Sequence, residues 1–153
     1  MIDDLAGLAA RLAKASPKRP RQVDLRRSIS TSYYALFHAL AKNGADLLVG
    51  KTKSVRSEKA WQQMYRALDH GRAKSAAEAA RNLGFPQGLK DCADAFVELQ
   101  KARHDADYDP LFRTSRLEAM EALVRAEDAI AKLRAAPLRD RRAFAVQLLM
   151  QKR

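Results

Sequence analysis

The chain has 153 residues, a formal net charge of +11 at pH 7 and a single cysteine. That length suits one domain, 1–153, whose hydrophobic core needs no disulfide or metal. One cysteine excludes an internal disulfide framework, and no apolar run reaches membrane-spanning length. Since no signal peptide is visible either, we expect a cytoplasmic protein that does not contact membranes.

Hydrophobic residues recur at three- and four-residue spacing along most of the chain, which predicts an all-α protein. We expect helices over 2–15, 21–43, 54–69, 87–107, 115–135 and 138–152, with a short one near 75–82. Their short connections predict an up-and-down bundle of four or five helices, with its core in 21–135. The N-terminal helix and the basic C-terminal helix flank that core.

Three boundaries depend on residues that stop or cap helices. Gly44 and Gly71 are expected to end the second and third helices, and Thr114 is expected to cap the fifth. Apolar spacing also places several bulky residues in the core, among them Val55, Leu117 and Val124.

The charge is unevenly distributed. Residues 91–128 contain ten acidic and five basic side chains, so the bases concentrate in 11–27, 51–81 and the tail from 132. Such asymmetry favours an anionic partner, with RNA or DNA the leading candidates. The alternative is a solvated, arginine-rich surface without a specific partner.

An arginine interrupts an apolar stripe at the end of the fourth helix. The stripe runs through Leu89, Cys92, Phe96 and Leu99, and its next position is Arg103. A core-facing arginine is costly unless it is paired, and Asp107 at i+4 is within reach of a charge-assisted hydrogen bond. The stretch 103–110 is therefore either a buried structural network or a functional site.

Two pairs of aromatic residues also allow two interpretations. Tyr34 and His38 lie one turn apart on the second helix, where they either pack plainly or meet the Arg103 cluster from the facing helix. Trp61 and Tyr65 share a face of the third helix, as core residues or as a stacking platform for bases.

Metal sites are not favoured by the sequence. Three aspartates alternate as at the start of a calcium loop: Asp105, Asp107 and Asp109. The sixth position of that loop would need glycine and is Pro110, and the twelfth would need glutamate and is Arg116. His104 has no second histidine at ligand spacing, and no phosphate-binding or dinucleotide-binding motif is present. We expect neither a metal nor a cofactor.

Two segments together resemble the HEPN domains. L-R-R-S-I-S-T-S-Y-Y-A-L-F-H-A-L (25–40) and R-H-D-A-D-Y-D-P (103–110) are similar to the motifs S-x-Y-Y-A-x-F-H and R-x-x-A-D-Y of small bacterial HEPN-like proteins. The segment E-A-L-V-R-A-E-D-A-I (121–130) resembles their closing helix. The resemblance spans about 25–133 and implies an up-and-down helical bundle and a homodimer. In that family many members are metal-independent ribonucleases, toxins or companions of minimal nucleotidyltransferases.

The catalytic signature of the family is an arginine, four to six residues, and then a histidine. Here His104 directly follows Arg103, and Tyr108 stands where the nearest histidine would be. A tyrosine with a pKa near 10 is a poor base at neutral pH, although it can donate a hydrogen bond. The candidate catalytic residues are therefore Arg103, His104 and Tyr108, and the candidate binding residues are Tyr34, His38, Asp107, Arg139, Arg141 and Arg142.

Three functions follow from these patterns. The first is a HEPN-like module that binds RNA or a nucleotide and is catalytically weak or inactive. The second is a metal-independent ribonuclease of toxin type, in which Arg103 stabilises the pentavalent phosphate. The third is a protein-interaction subunit that partners a minimal nucleotidyltransferase, in which the cluster around Arg103 only stabilises the bundle.

Overall fold

The computed structural model describes residues 1–150, and these residues form seven helices and no strand. The all-α prediction is therefore confirmed. The helices are α1 (Ile2–Lys14), α2 (Gln22–Leu48), α3 (Glu58–Arg66), α4 (His70–Ala80), α5 (Gln87–Tyr108), α6 (Arg116–Ala135) and α7 (Leu138–Leu149). Within the described range, none of them combines the length and the apolar character that crossing a lipid bilayer requires.

The longest helix, α2, lies at the centre and packs against α1, α3, α5, α6 and α7. Small residues on its buried faces allow the neighbouring helices to approach closely. The buried hydroxyls are satisfied by backbone carbonyls: Ser28 donates to Ala9 at 2.8 Å, and Ser32 donates to Ser28 at 2.9 Å. Burying these serines therefore leaves neither hydroxyl without a partner.

Helices α2, α5 and α6 pack antiparallel in succession. The start of α2 meets the end of α5, where Ser30 donates to Asp107 at 3.0 Å. The start of α5 meets the end of α6, where Lys132 and Asp91 form an ion pair at 2.9 Å. This arrangement brings the two sequence motifs, 25–40 and 103–110, against each other.

Capping side chains explain where two predicted boundaries were wrong. His70 and Gly71 open α4 instead of ending α3, because the carboxylate of Asp69 accepts a hydrogen bond from the backbone of Arg72. The cap of α6 is Ser115, which forms a reciprocal capping box with Glu118, and not the preceding threonine. The helix expected over 54–69 is accordingly confined to Glu58–Arg66, and the short helix near 75–82 begins at residue 70.

Gly44 does not end α2, which continues to Leu48. It is buried where α7 crosses α2, and a Cβ at this position would collide with Cδ1 of Leu149. The glycine therefore makes room for the Leu149 side chain at the crossing and does not change the backbone direction. The predicted end of the last helix at 152 lies outside the described residues.

Several bulky residues expected in the core are exposed instead. The exposed fractions are 82% for Val55, 68% for Leu117 and 58% for Val124. The first lies in the loop before α3. The other two lie on the outer face of α6, because the inner face is lined mainly by small residues: Ala119, Ala122, Leu123, Ala126, Ala129, Ile130 and Leu133. Alanines permit close helix packing, and a pattern based on bulky apolar residues alone does not identify the face that they form.

Replacing Gly44 with valine should lower the free energy of unfolding by about 1–3 kcal/mol, because the new side chain collides with Leu149 in a packed crossing. Gly7→Val in α1 is the matched control, since the only neighbour of its new Cβ is the end of the Arg11 side chain. Urea denaturation of both variants measures the difference. Equal midpoints would show that the α2–α7 crossing does not require glycine.

Candidate functional site

The candidate site forms where the first half of α2 meets the end of α5. Ser30, Tyr34 and His38 follow one another at four-residue spacing and so share one face of α2. The α5 residues Arg103 and Asp107, also one turn apart, approach that face. Antiparallel packing thus unites side chains that are about 70 residues apart in the sequence.

Arg103 is surrounded by tyrosines. Its side chain is 12% exposed, and Nη2 donates a hydrogen bond of 3.1 Å to the hydroxyl of Tyr34. The guanidinium carbon lies 5.5 Å from the ring centroids of Tyr33 and Tyr34 and 5.6 Å from that of Tyr108. These distances permit cation–π attraction, which strengthens when the cation is removed from water. We call these four residues the arginine–tyrosine cluster.

The predicted pairing of Arg103 with Asp107 is an ion pair and not a hydrogen bond. Nε of the arginine lies 3.4 Å from Oδ2 of Asp107, and this nitrogen is buried with no acceptor in hydrogen-bonding geometry. The same carboxylate oxygen accepts a hydrogen bond of 3.0 Å from Ser30. Asp107 therefore connects the end of α5 to α2 through a hydroxyl as well as through a charge.

Two histidines beside the cluster are each hydrogen-bonded to a tyrosine. The hydroxyl of Tyr33 lies 2.5 Å from Nδ1 of His70, and that of Tyr65 lies 2.7 Å from Nδ1 of His38. Burial lowers the pKa of both histidines below 6.5 and raises the pKa of both tyrosines. At neutral pH the imidazoles are therefore uncharged and each phenol keeps its proton, so each tyrosine and histidine share one hydrogen bond whose direction is set by the histidine tautomer.

His70 was missed by the sequence interpretation, which treated it as part of a helix end. Its ring stacks on Phe37 with centroids 4.3 Å apart, and its carbonyl accepts a hydrogen bond of 2.7 Å from Gln100 of α5. The signal that would have placed it correctly is Asp69, a favoured N-cap residue directly before it. His38, in contrast, contacts α3 and not the arginine.

His104 and Tyr108 lie on the outer side of the arginine–tyrosine cluster. Their ring centroids are 5.1 Å apart, the imidazole is exposed, and the tyrosine is 64% exposed. They thus form a pair of rings that faces solvent, and the guanidinium carbon of Arg103 lies 5.6 Å from the Tyr108 ring centroid. Among the described residues, no histidine accepts a hydrogen bond from the Arg103 guanidinium.

The acidic groups near the end of α5 are engaged within the fold. Asp105 pairs with Lys101 at 2.6 Å, and a carboxylate oxygen of Asp109 accepts a hydrogen bond from the backbone of Leu111. Arg26 of α2 donates to the carbonyls of Ala106, Asp109 and Phe112, which satisfies acceptors at the helix end and matches its negative dipole. The negative charge of Asp105, Asp107 and Asp109 is therefore partly compensated within the fold.

The arginines of α7 lie elsewhere. This helix packs on α2 and α4, whereas the end of α5 packs on the first half of α2. Arg139 and Arg142 are exposed, whereas Arg141 is partly buried, with a buried Nε. The predicted binding residues therefore divide into two separate groups. Within 1–150, no three side chains among His, Cys, Asp and Glu converge closely enough to bind a metal ion.

Comparison of the chain with protein-family models, with curated proteins and with solved structures found no match. The interpretation of the site therefore depends on its geometry and on the two motifs.

Replacing Arg103 with alanine should lower the free energy of unfolding by about 2–3 kcal/mol, because one charge-assisted hydrogen bond and the attraction to three rings disappear. Arg27→Ala is the matched control, since this α2 arginine is exposed, and it should change stability by less than about 0.5 kcal/mol. Chemical denaturation of both variants provides the test. Similar destabilisation by the two substitutions would contradict a structural role for the cluster.

Stability should fall as the pH drops below about 6.5. The pKa of His70 is lower in the folded chain, so the unfolded chain binds the proton more readily, and the stability present above the unfolded pKa is lost on acidification. Thermal melting of wild type and His70→Gln between about pH 7.5 and 5.5 measures this, and the variant should show the weaker pH dependence. Parallel curves for wild type and His70→Gln would exclude the effect.

Proposed function

We propose that the chain is a HEPN-like helical-bundle module that binds RNA or a nucleotide and has weak or no catalytic activity. The observation that carries the proposal is the exposed ring pair of His104 and Tyr108, 5.1 Å apart, with the guanidinium of Arg103 held 5.6 Å from the tyrosine ring. Aromatic rings beside a positive charge are how proteins bind single-stranded nucleic acid without a strong sequence preference.

The fold supports the same proposal. The helices α2, α5 and α6 pack antiparallel in succession, as the proposed up-and-down bundle requires, and the contact of Tyr34 with Arg103 joins the two motifs on which the HEPN resemblance depends. Arg27 and Arg113 are both exposed and suited to phosphate contacts; Arg27 lines a surface pocket with Asp107 of α5, and Arg113 lies in the segment that follows α5. The net charge of +11 favours such contacts over the whole surface.

The site supports a catalytic role less well than it supports binding. A ribonuclease of this type needs a general base beside the reacting phosphate, with a pKa near the working pH. His38 and His70 are already paired with tyrosines, and burial lowers the pKa of each. His104 alone is exposed and available to transfer protons, so it is the residue on which a residual activity would depend.

A protein partner is the second candidate function, and exposed apolar side chains favour it. Val23, Tyr108, Leu111 and Leu117 are each more than 60% exposed, and they belong to segments that meet near the end of α5. Such residues on one end of a molecule are typical of an interaction surface. A second copy of this chain or a minimal nucleotidyltransferase is the proposed partner on that surface.

The first test is binding of labelled tRNA and total RNA in the presence of EDTA. Wild type should bind without cleaving the RNA, and the His104→Ala, Tyr108→Ala double variant should bind at least about fivefold more weakly, since one base stack contributes about 1–3 kcal/mol. Val124→Ala, which shortens an exposed side chain of α6, is the control and should retain the wild-type affinity.

Replacing Arg139 and Arg142 together should reduce the salt dependence of binding by about one unit for each phosphate that the variant no longer neutralises.

The other outcomes of this experiment are equally clear. Cleavage in EDTA that His104→Ala abolishes would make the protein a metal-independent ribonuclease. RNA that is neither bound nor cleaved by the folded protein would overturn the proposal and favour the partner function. In that case sedimentation of wild type and Leu111→Ser would show whether the exposed apolar end joins two copies.

A further inference from the structure

A second candidate site lies in the other half of the molecule. A half-open cavity of about 540 Å³ is bordered by the second half of α2 and the loop after it, by α3, by the start of α1 and by the α6–α7 corner. This volume falls within the range of about 300–1,000 Å³ that is usual for small-molecule sites. The cavity includes no member of the arginine–tyrosine cluster, although Tyr65, which lines it, is hydrogen-bonded to His38.

The charged residues that line the cavity leave an excess of positive charge. Four are basic and two are acidic: Lys42, Lys51, Arg134, Arg141, Asp3 and Asp46. Asp46 pairs with Lys42 and also accepts a hydrogen bond of 2.9 Å from the indole of Trp61. Asp3 lies 3.6 Å from Arg134. Within residues 1–150, Lys51 and Arg141 form no ion pair, so these two cations carry the excess.

Arg141 has an unusual environment for an arginine. It lies in the first half of α7, where its Nη1 donates weakly to the carbonyl of Arg134 at 3.5 Å, and its Nε is buried without an acceptor. A buried donor without a partner costs about 1–3 kcal/mol. The planar fork of a guanidinium is matched by phosphate oxygens, which accept two parallel hydrogen bonds.

Two aromatic rings form a wall of the cavity. Trp61 and Tyr65 are one turn apart on α3, with ring centroids 5.1 Å apart. Each is held in place: the indole nitrogen donates to Asp46, the guanidinium of Arg56 lies 4.3 Å from the indole, and the phenol is paired with His38. Rings that are fixed before binding lose little conformational freedom when a flat ligand contacts them.

We propose that this cavity binds a small phosphate monoester that carries a flat ring, with the phosphate at Arg141 and Lys51 and the ring against Tyr65 and Trp61. Two unpaired cations match the charge of about −1.5 to −2 that a phosphate monoester has at neutral pH. The volume accommodates one ring and one phosphate, and neither His104 nor Tyr108 lines the cavity, so the site is distinct from the exposed ring pair proposed for RNA. The proposal therefore stands independently of RNA binding.

The test uses Trp61, which is the only tryptophan of the chain. Adenosine 5′-monophosphate should change its fluorescence saturably, whereas adenosine and ribose 5-phosphate, which lack the phosphate or the ring, should each bind at least about tenfold more weakly. Arg141→Met and Lys51→Met should weaken binding of the monophosphate by a similar factor. Lys53→Met, an exposed lysine of the same loop as Lys51 that does not line the cavity, is the control and should leave the affinity unchanged.

Several results would overturn the proposal. The first is the absence of a saturable fluorescence change with about 10 mM adenosine 5′-monophosphate. The second is an equal affinity of Lys51→Met and wild type for this ligand. The third is an equal affinity of wild type for adenosine 5′-monophosphate and ribose 5-phosphate. Lys51 is in an exposed loop, so its variant is informative even if Arg141→Met fails to fold. The His104→Ala, Tyr108→Ala variant should bind the monophosphate normally, which separates a failure here from a failure of the RNA-binding proposal.

Discussion

The burial of the Arg103 guanidinium joins the first half of α2 to the end of α5. Arg103 occupies a position on α5 where an apolar residue would continue the core, and removing its charge from water is tolerated because Tyr34, Asp107 and two further rings surround it. These partners come from α2 and from the next turn of α5. The register between the two helices is thus set by polar contacts at one end and by apolar packing along the rest.

The same contacts determine which groups remain available to a ligand. Tyr33, Tyr34 and the two paired histidines are used within the fold, and their neutral imidazoles place no charge in the interior. Only the outer rings, His104 and Tyr108, face solvent. Histidines that are already paired in the interior, together with exposed rings beside a positive charge, agree better with the proposed binding role than with acid–base catalysis.

The chain places its candidate functions at separate locations along α2. The first half of this helix contacts the end of α5 and contributes to the arginine–tyrosine cluster, and the second half contacts α3 and α7 and lines the cavity. His38 lies between them and is bonded to Tyr65.

The sequence by itself determined the all-α class, the extent of α5 to within one residue and the inward-facing position of Arg103, because hydrophobic period and helix-ending residues are local signals. It allowed Tyr34 to meet Arg103 without requiring it. Only the tertiary structure decided that Gly44 lies in a helix crossing, that Leu117 and Val124 face outward and that His70 joins the site. Each of these depends on which distant helix packs against the residue, and no local pattern records that contact.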